Sequence, residues 1–451
     1  MVLGEWLMPG ESAPVYPDWF TSSVKAIYDP KKQGMTNYDV IEAYAEDFTY
    51  WTLDNTGITS TPKKIVIPAG TELKYVIAFR GFNSFTAGFD IKYTGNAVIT
   101  YRYNKEDGTV GTIAIDKSGI YHLPASVRAQ KNFGFYCNPQ TVTEEATIEQ
   151  LPTSILKDLS GNGNHAYLYG GKGKLNSGMG VYKFDFLSDL LINSAYLPYT
   201  ERQYDSICSL AGHPNGWLFQ YKSLTDIPTF KIEVKGIVND KFHYRWYDEN
   251  GNRGVDFVID KDGIYEFPMS YSVETNTGVG IVCNNICQDN VCFTQIPDYP
   301  NQLCYDGKMY AVCYGFPILT DYTVMAERTW FENKNIFLAK GNITTEAKYA
   351  FIFERFKPDG VMAVQSFGAW NDVVSTTDSC ISYLTKNKYN GIDIRSGIGA
   401  DDDMLSIGGA LNKGNIELTS VCCHGTIIVA DRSFTEEEIN WLKENIYNIE
   451  I

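Results

Sequence analysis

The chain carries 38 Lys and Arg against 54 Asp and Glu over 451 residues, a formal net charge of −16. So acidic a protein repels polyanions, which argues against nucleic acid and anionic membrane surfaces as partners. The length exceeds what a single core fills, so about two to four domains are expected, and 14% aromatics with 31 Tyr and 39 Gly favour strands and tight turns over helices.

Residues 1 to 23 hold Trp6 and Trp19 among Pro9, Pro14 and Pro17. Such a segment is too aromatic for a floppy tail and too rich in proline for a continuous helix, which reads as an extended arm docking on a partner. It lacks the basic region and apolar core of a signal peptide. Thr36 then precedes NYDVIEAYAEDF, in which Val40, Tyr44 and Phe48 recur at helical spacing on one face. Residues 1–60 are therefore expected to anchor or oligomerise the chain through an arm and one helix, with Trp6, Trp19, Val40, Tyr44 and Phe48 as the contact residues.

Residues 61–152 switch to strand-like alternation, as in KIVIPAG, FDIKYTG and AVITYRYN, broken by Gly, Asn and Asp. This predicts a small antiparallel β-sandwich. The pattern then recurs. Phe89 to Gly95, Tyr101-Arg102-Tyr103, Ile115 to Tyr121, Gly134 and Cys137-Asn138 find counterparts in Phe230 to Gly236, Tyr244-Arg245-Trp246, Ile259 to Tyr265, Gly280 and Cys283-Asn284. The offset drifts only from 141 (Phe89 to Phe230) to 146 (Cys137 to Cys283). Two copies of one fold are predicted, the second over residues 217–297; a solenoid needs at least three units.

Between the copies, Lys157-Asp158-Leu159-Ser160-Gly161-Asn162-Gly163-Asn164-His165 is a run of turn formers leading into a short strand. Far downstream, Gly425 to Ala430 reads as a strand, followed by Asp431-Arg432-Ser433-Phe434-Thr435-Glu436-Glu437-Glu438-Ile439. Thr435 and Glu438 form a capping box, Phe434 staples onto Ile439, and Ile439, Leu442 and Ile446 give the helix one apolar stripe. The opening hairpin, Leu303-Cys304-Tyr305-Asp306-Gly307 and this strand-to-helix ending resemble the concanavalin A-like (laminin G-like) jelly-roll sandwich. That resemblance implies a discontinuous lectin-like domain, residues 153–216 and 298–451, with the second small module inserted in it.

The ten cysteines include no C-x-x-C pair, and Cys283, Cys287, Cys292 and Cys422-Cys423-His424 fit neither a metal nor a disulfide framework. Free, buried thiols are expected, as in a reducing cytoplasm. His122, His165, His213, His243 and His424 are scattered without ligand spacing. No apolar run of about 18 residues predicts a transmembrane helix. Asp158, Ser160, Asn162 and Asn164, and separately Asp401-Asp402-Asp403, offer oxygens for Ca²⁺ or else form solvated turns; neither brings the glutamate of an EF-hand. No cofactor is otherwise expected. The lectin-like part has no E-x-D-x-x-E pair suited to glycoside hydrolysis, and Glu436-Glu437-Glu438 complements a helix dipole, so no catalytic residue is expected. Trp330, Tyr349, Phe367 and Trp370 are candidates for stacking on sugars, against a plain core role.

Taken whole, Tyr28 to Glu42, Ser154 to Gly163 and Pro300 to Tyr310 resemble structural proteins of crAss-like phages of Bacteroides. The resemblance implies a fibre on the head or tail of a virion, made in the bacterial host cytoplasm and displayed on the particle surface. Its implied partners are itself, as dimer or trimer, other virion proteins such as capsid, and host or mucus glycans. A tail fibre or receptor-binding protein, a carbohydrate-binding protein outside a virion and a glycoside hydrolase are the alternatives.

Overall fold

The structure, a computed structural model, describes residues 16–35, 42–81, 86–127, 132–170, 190–191, 194–202, 206–221, 226–271, 278–296, 299–332, 335–343, 349–356, 361–373 and 379–447. The protein is mainly β, built of antiparallel sandwiches. No described helix is long and apolar enough to cross a membrane.

Two of the sandwiches have the same strand order. In the first module one sheet runs Gly119–Leu123, Phe89–Thr94, Ala146–Gln150, Lys64–Ile67, Thr59–Ser60, and the other Thr52–Leu53, Val76–Arg80, Phe133–Tyr136, Ile99–Asn104, Val110–Ile115. In the second the orders are Gly263–Phe267, Phe230–Lys235, Val291–Ile296, Ser206–Ser209, Thr200–Arg202 and Leu190–Leu191, Gly216–Tyr221, Gly280–Cys283, Phe242–Arg245, Phe257–Ile259. Alternation in Phe89–Thr94 and Phe230–Lys235 sends every second residue into a core, so Ile91 and Ile232 are both fully buried.

The matching strands correct both module boundaries. The second module begins by Leu190, not at residue 217, because strands 190–191, 200–202 and 206–209 are the counterparts of 52–53, 59–60 and 64–67. The first begins before residue 61. The helix expected to end at Phe48 is also absent where it is described: Glu42 to Asp47 is non-helical, and Phe48–Tyr50 is one 3-10 turn capped by the Asp47 side chain. Gln150 holds this passage against the module, its amide accepting from Glu46 N at 3.0 Å and donating to Glu46 O at 2.8 Å. Phe48 and Trp51 thus enter the first module's core, edge-to-face at 5.1 Å.

The third sandwich is the largest. One sheet orders Val24–Tyr28, Val421–Ala430, Thr323–Glu332, Ser379–Thr385, Lys388–Tyr389, Ile392–Asp393, with Leu303–Asp306 also on the 421–430 strand. The facing sheet orders Ile155–Leu156, Ala166–Tyr169, Tyr310–Tyr314, Met404–Ile407, Ile336–Ile343, Tyr349–Phe356, Met362–Ser366, Ala369–Val373. Tyr169 pairs with Tyr310, so the chain leaves this sheet and returns to its neighbouring strand with the second module's sheets in between. Residue 187, expected near residue 300, lies outside the described residues.

Of the N-terminal segment, residues 16–28 are part of this sandwich, where an arm was expected. Val24–Tyr28 pairs with the 421–430 strand, and the short helix Asp18–Ser23 brings Trp19 to 5.6 Å from Trp441 and 5.0 Å from Phe434. The C-terminal ending has a physical reason for each residue: Lys25 pairs with Asp431 at 2.8 Å, Arg432 grips Glu438 with two nitrogens at 2.9 and 2.6 Å, and Thr435 and Glu438 close the capping box of helix Glu436–Asn445. Inside, Arg328 and Glu354 pair across the two sheets at 1% and 0% side-chain exposure, and Glu354 also accepts from Ser382 at 2.5 Å and Tyr389 at 2.8 Å. A pair so well satisfied offsets its desolvation and fixes how the sheets face each other.

Candidate functional site

The site is built from the outer face of the first module's second sheet. Along Ile99–Asn104, Ile99 and Tyr101 point inward and are fully buried, which turns Thr100 and Arg102 outward. Tyr136 pairs with Thr100, and Gly134 pairs with Arg102. Gly134 has φ +158°, and a Cβ there would lie 2.2 Å from Ala78 O, so only glycine fits opposite Arg102. The guanidinium lies 5.6 Å from the Tyr136 ring, and Tyr75, 58% exposed, stands 5.6 Å from Tyr136.

Tyr75, Thr100, Arg102 and Tyr136 line an open groove of about 390 Å³, together with Thr112, Asn138 and Gln140. Gln140 is tied down, donating to Val98 O at 2.8 Å and accepting from Val98 N at 3.1 Å, so it stiffens the rim. Burial raises the Tyr136 phenol, with the Arg102 cation opposing, which keeps the hydroxyl protonated at neutral pH. None of the lining residues is Asp or Glu. Flat aromatic rings, a guanidinium and hydroxyls suit a ligand with one apolar face and a rim of hydroxyl groups.

The second module repeats this grammar with different residues. Arg245 pairs with Gly280, whose φ is +152° and whose added Cβ would meet Phe219 O at 2.2 Å. Arg245 stacks over Trp217 at 5.0 Å, and Trp217 pairs with Val282, the position that Tyr136 holds in the first module. The Arg245 Nε atom is buried without a hydrogen-bond partner among the described residues. His243 and Asp256 approach to 2.9 Å on the same face.

The residues singled out from the sequence are distributed otherwise. Trp330 and Tyr349, at 2% and 1% exposure, are core residues, as is Phe367; they offer no ring to a sugar. Trp370 is half-buried and lies under the Arg355 guanidinium at 5.5 Å, another of the chain's arginine–aromatic pairs. Asp158 is buried, its Oδ1 accepting from Ile27 N at 3.0 Å and Ser160 N at 2.9 Å, its Oδ2 from Asn164 N at 3.0 Å. The amides of Asn162 and Asn164 donate to Val24 O and Lys25 O. These oxygens hold a turn against the first strand instead of converging on an open Ca²⁺ position, because burial next to unpaired backbone amides favours that pairing. Asp401 accepts from Leu319 N at 2.6 Å and pairs with fully buried Lys340 at 2.9 Å, whereas Asp403 is exposed.

Of the expected anchoring residues, Trp6 and Val40 lie outside the described residues. Trp19 and Phe48 pack within the chain, and the Tyr44 hydroxyl donates to Glu42 at 2.5 Å. They form no common face. The expectation of free cysteines is corrected at one pair: Cys208 and Cys292 are directly opposed on paired strands and form a disulfide, while the other eight are not disulfide-bonded. Sequence reading missed Tyr75, which is exposed, Trp217, which is half-buried, and Tyr136, which is 8% exposed, as site residues. The repeat did carry Arg102 with Arg245 and Gly134 with Gly280, but that each arginine sits opposite its glycine is a matter of register.

No family model and no curated protein matches the chain. Among solved structures it is similar to a mutant GH54 α-L-arabinofuranosidase soaked with 4-nitrophenyl α-L-arabinofuranoside, at TM-score 0.29 and 9% identity over 80% of this chain. It spans 62% of that enzyme's length. A Trypanosoma rangeli sialidase in complex with the inhibitor DANA follows at TM-score 0.23 and 8% identity, covering 86% of this chain and 85% of the other. A triple jelly-roll turret protein of an archaeal virus matches at TM-score 0.13 and 12% identity, covering 94% and 99%.

Proposed function

We propose that the chain is a non-catalytic surface subunit of a bacteriophage virion, a head fibre or similar appendage, whose two small modules hold glycans while the large sandwich serves as their frame. The observation that carries the glycan reading is the repetition, on the same face of two modules, of an arginine opposite an obligatory glycine and stacked on an aromatic ring. Core packing requires no such repetition on an outer face. Two weak sites on one chain, multiplied by assembly as a dimer or trimer with other virion proteins such as capsid, give avidity without a deep pocket. The lack of a carboxylate in the groove, and the pairing of buried Glu354 and Asp401 with Arg328 and Lys340, support a binder over a hydrolase.

The test is binding of the full chain to immobilised mucin-type and bacterial surface glycans. Arg102→Ala with Arg245→Ala is expected to lower apparent affinity at least tenfold with the melting profile unchanged. Undiminished binding by the double variant would move the site to the large sandwich, where Trp370 and Arg355 stand. Release of reducing ends would replace the binding reading with an enzyme. Antibody labelling of purified particles by electron microscopy tests the virion placement separately.

A further inference from the structure

One corner of the second module differs from its twin in a way that assembles a set of ligands. In both modules a glycine closes this corner by the same backbone bond, Gly70 N to Val142 O and Gly212 N to Cys287 O, each 2.7 Å. The return bonds correspond as well: Val142 N to Thr71 O and Cys287 N to His213 O, each 2.9 Å. The backbone therefore equates Cys287 with Val142 and His213 with Thr71. Cys283 and Cys137 also correspond, each with its sulfur against a carbonyl, Pro214 O at 3.4 Å and Lys74 O at 2.8 Å.

In the first module this corner is filled ordinarily. Val142 is an apolar plug at 1% exposure, and Thr71 turns its hydroxyl back onto Pro68 O at 2.7 Å. In the second, the plug is a thiol and the threonine an imidazole. With Cys283 they bring three buried donor groups within 4.8 Å of one another. His213 is completely buried, and its Nδ1 lies 2.8 Å from Pro214 O. A carbonyl only accepts, so Nδ1 carries the proton and Nε2 presents its lone pair. That Nε2 is buried, with the Cys283 thiol beside it. A buried lone pair facing two thiols is satisfied by an ion that accepts lone pairs, and a backbone carbonyl on the opposite ring nitrogen is how metal-binding histidines are oriented.

We propose that His213, Cys283 and Cys287 bind one Zn²⁺ in the second module, as a structural site. Two thiolates and a neutral imidazole are a borderline-soft donor set suited to Zn²⁺, and a fourth position falls to water or to Ser209, whose buried hydroxyl lies 3.7 Å from the Cys287 sulfur. Binding replaces two thiol protons by the ion, Zn²⁺ plus two R–SH giving a neutral Zn(SR)₂ unit and two H⁺, so the buried site carries no net charge. The ion would join strand Gly280–Cys283, the loop after it and the turn at His213, fixing an end of the sandwich that the first module fixes by apolar packing.

The full chain, stripped with chelator and reloaded with ZnCl₂, is expected to retain one Zn²⁺ per chain after desalting, and Co²⁺ in its place is expected to give a thiolate-to-cobalt charge-transfer band. The double variant His213→Thr, Cys287→Val installs the first module's residues, so it should fold yet bind no metal and lose the Co²⁺ band. Cys137→Ser, in the first module, should keep both. Wild-type protein retaining no more Zn²⁺ than the double variant would overturn the proposal, as would a mass two hydrogens lighter in the Cys283–Cys287 peptide from freshly purified protein, which would make the pair a disulfide.

Discussion

The two small modules share one strand order but keep it by different chemistry. In the first, Phe48 and Trp51 arrive from the preceding passage and stack into a cluster with Phe133 and Phe135, while Val66 stands opposite Thr147 on paired strands. In the second, the position opposite is Cys208 with Cys292, joined covalently, and the interior stack is Tyr244 on Phe267 at 4.5 Å with Phe230 and Phe257 at its edges. The first module continues directly from the passage that packs it, whereas the second is an excursion from the large sandwich, leaving after Tyr169 and returning at Leu303. A covalent cross-link removes loop entropy from the unfolded excursion, which apolar packing cannot do.

That contrast breaks most visibly at Phe48. Phe48→Ala empties a fully buried site at the centre of the first module's aromatic cluster, with an expected loss of about 3–5 kcal/mol. Calorimetry of the full chain should show one transition moving down while the second module's stays; a uniform shift of all transitions would mean that the modules do not unfold separately. The converse change is reduction of the disulfide, or Cys208→Val with Cys292→Thr, which copies Val66 and Thr147. Removing the cross-link is expected to cost the second module about 2–5 kcal/mol and the first nothing. Equal sensitivity of both transitions to reductant would defeat the distinction.

The smallest effect should belong to neither module. His424 lies in the large sandwich, where burial pulls its pKa down to about 4 and the Tyr305 hydroxyl meets its Nε2 at 3.1 Å. Its folded pKa is below the unfolded value near 6.5, so between those limits the unfolded chain binds a proton that the folded one refuses. Stability from this group is therefore full above pH 6.5 and falls as pH drops toward 4, by about 3 kcal/mol. Glu327 and Asp401, both raised chiefly by burial, act in the opposite sense, so the measurement is a difference: wild type should lose more stability than His424→Gln over that range, in the large sandwich's transition alone. Parallel pH profiles would show that His424 titrates normally.

By itself the sequence determined what depends on neighbours along the chain: alternation that made strands, Gly and Asn turns, the Thr435–Glu438 capping box, and a duplication legible as matched residues in order. Mainly-β architecture followed from those. Only the tertiary structure decided which side each strand shows and what lies across from it. Trp19 read as part of an arm because Phe434 and Trp441, against which it packs, are some four hundred residues away. Phe48 read as the face of a helix because apolar spacing marks burial without naming the core that takes it. Cys208 and Cys292 read as free, and His213 as unrelated to Cys283 and Cys287, because opposition across a sheet is set by register and leaves no trace in spacing. The groove residues were hidden for the same reason: an aromatic on a strand fills a core or faces solvent according to a one-residue parity that the folded sheet alone fixes.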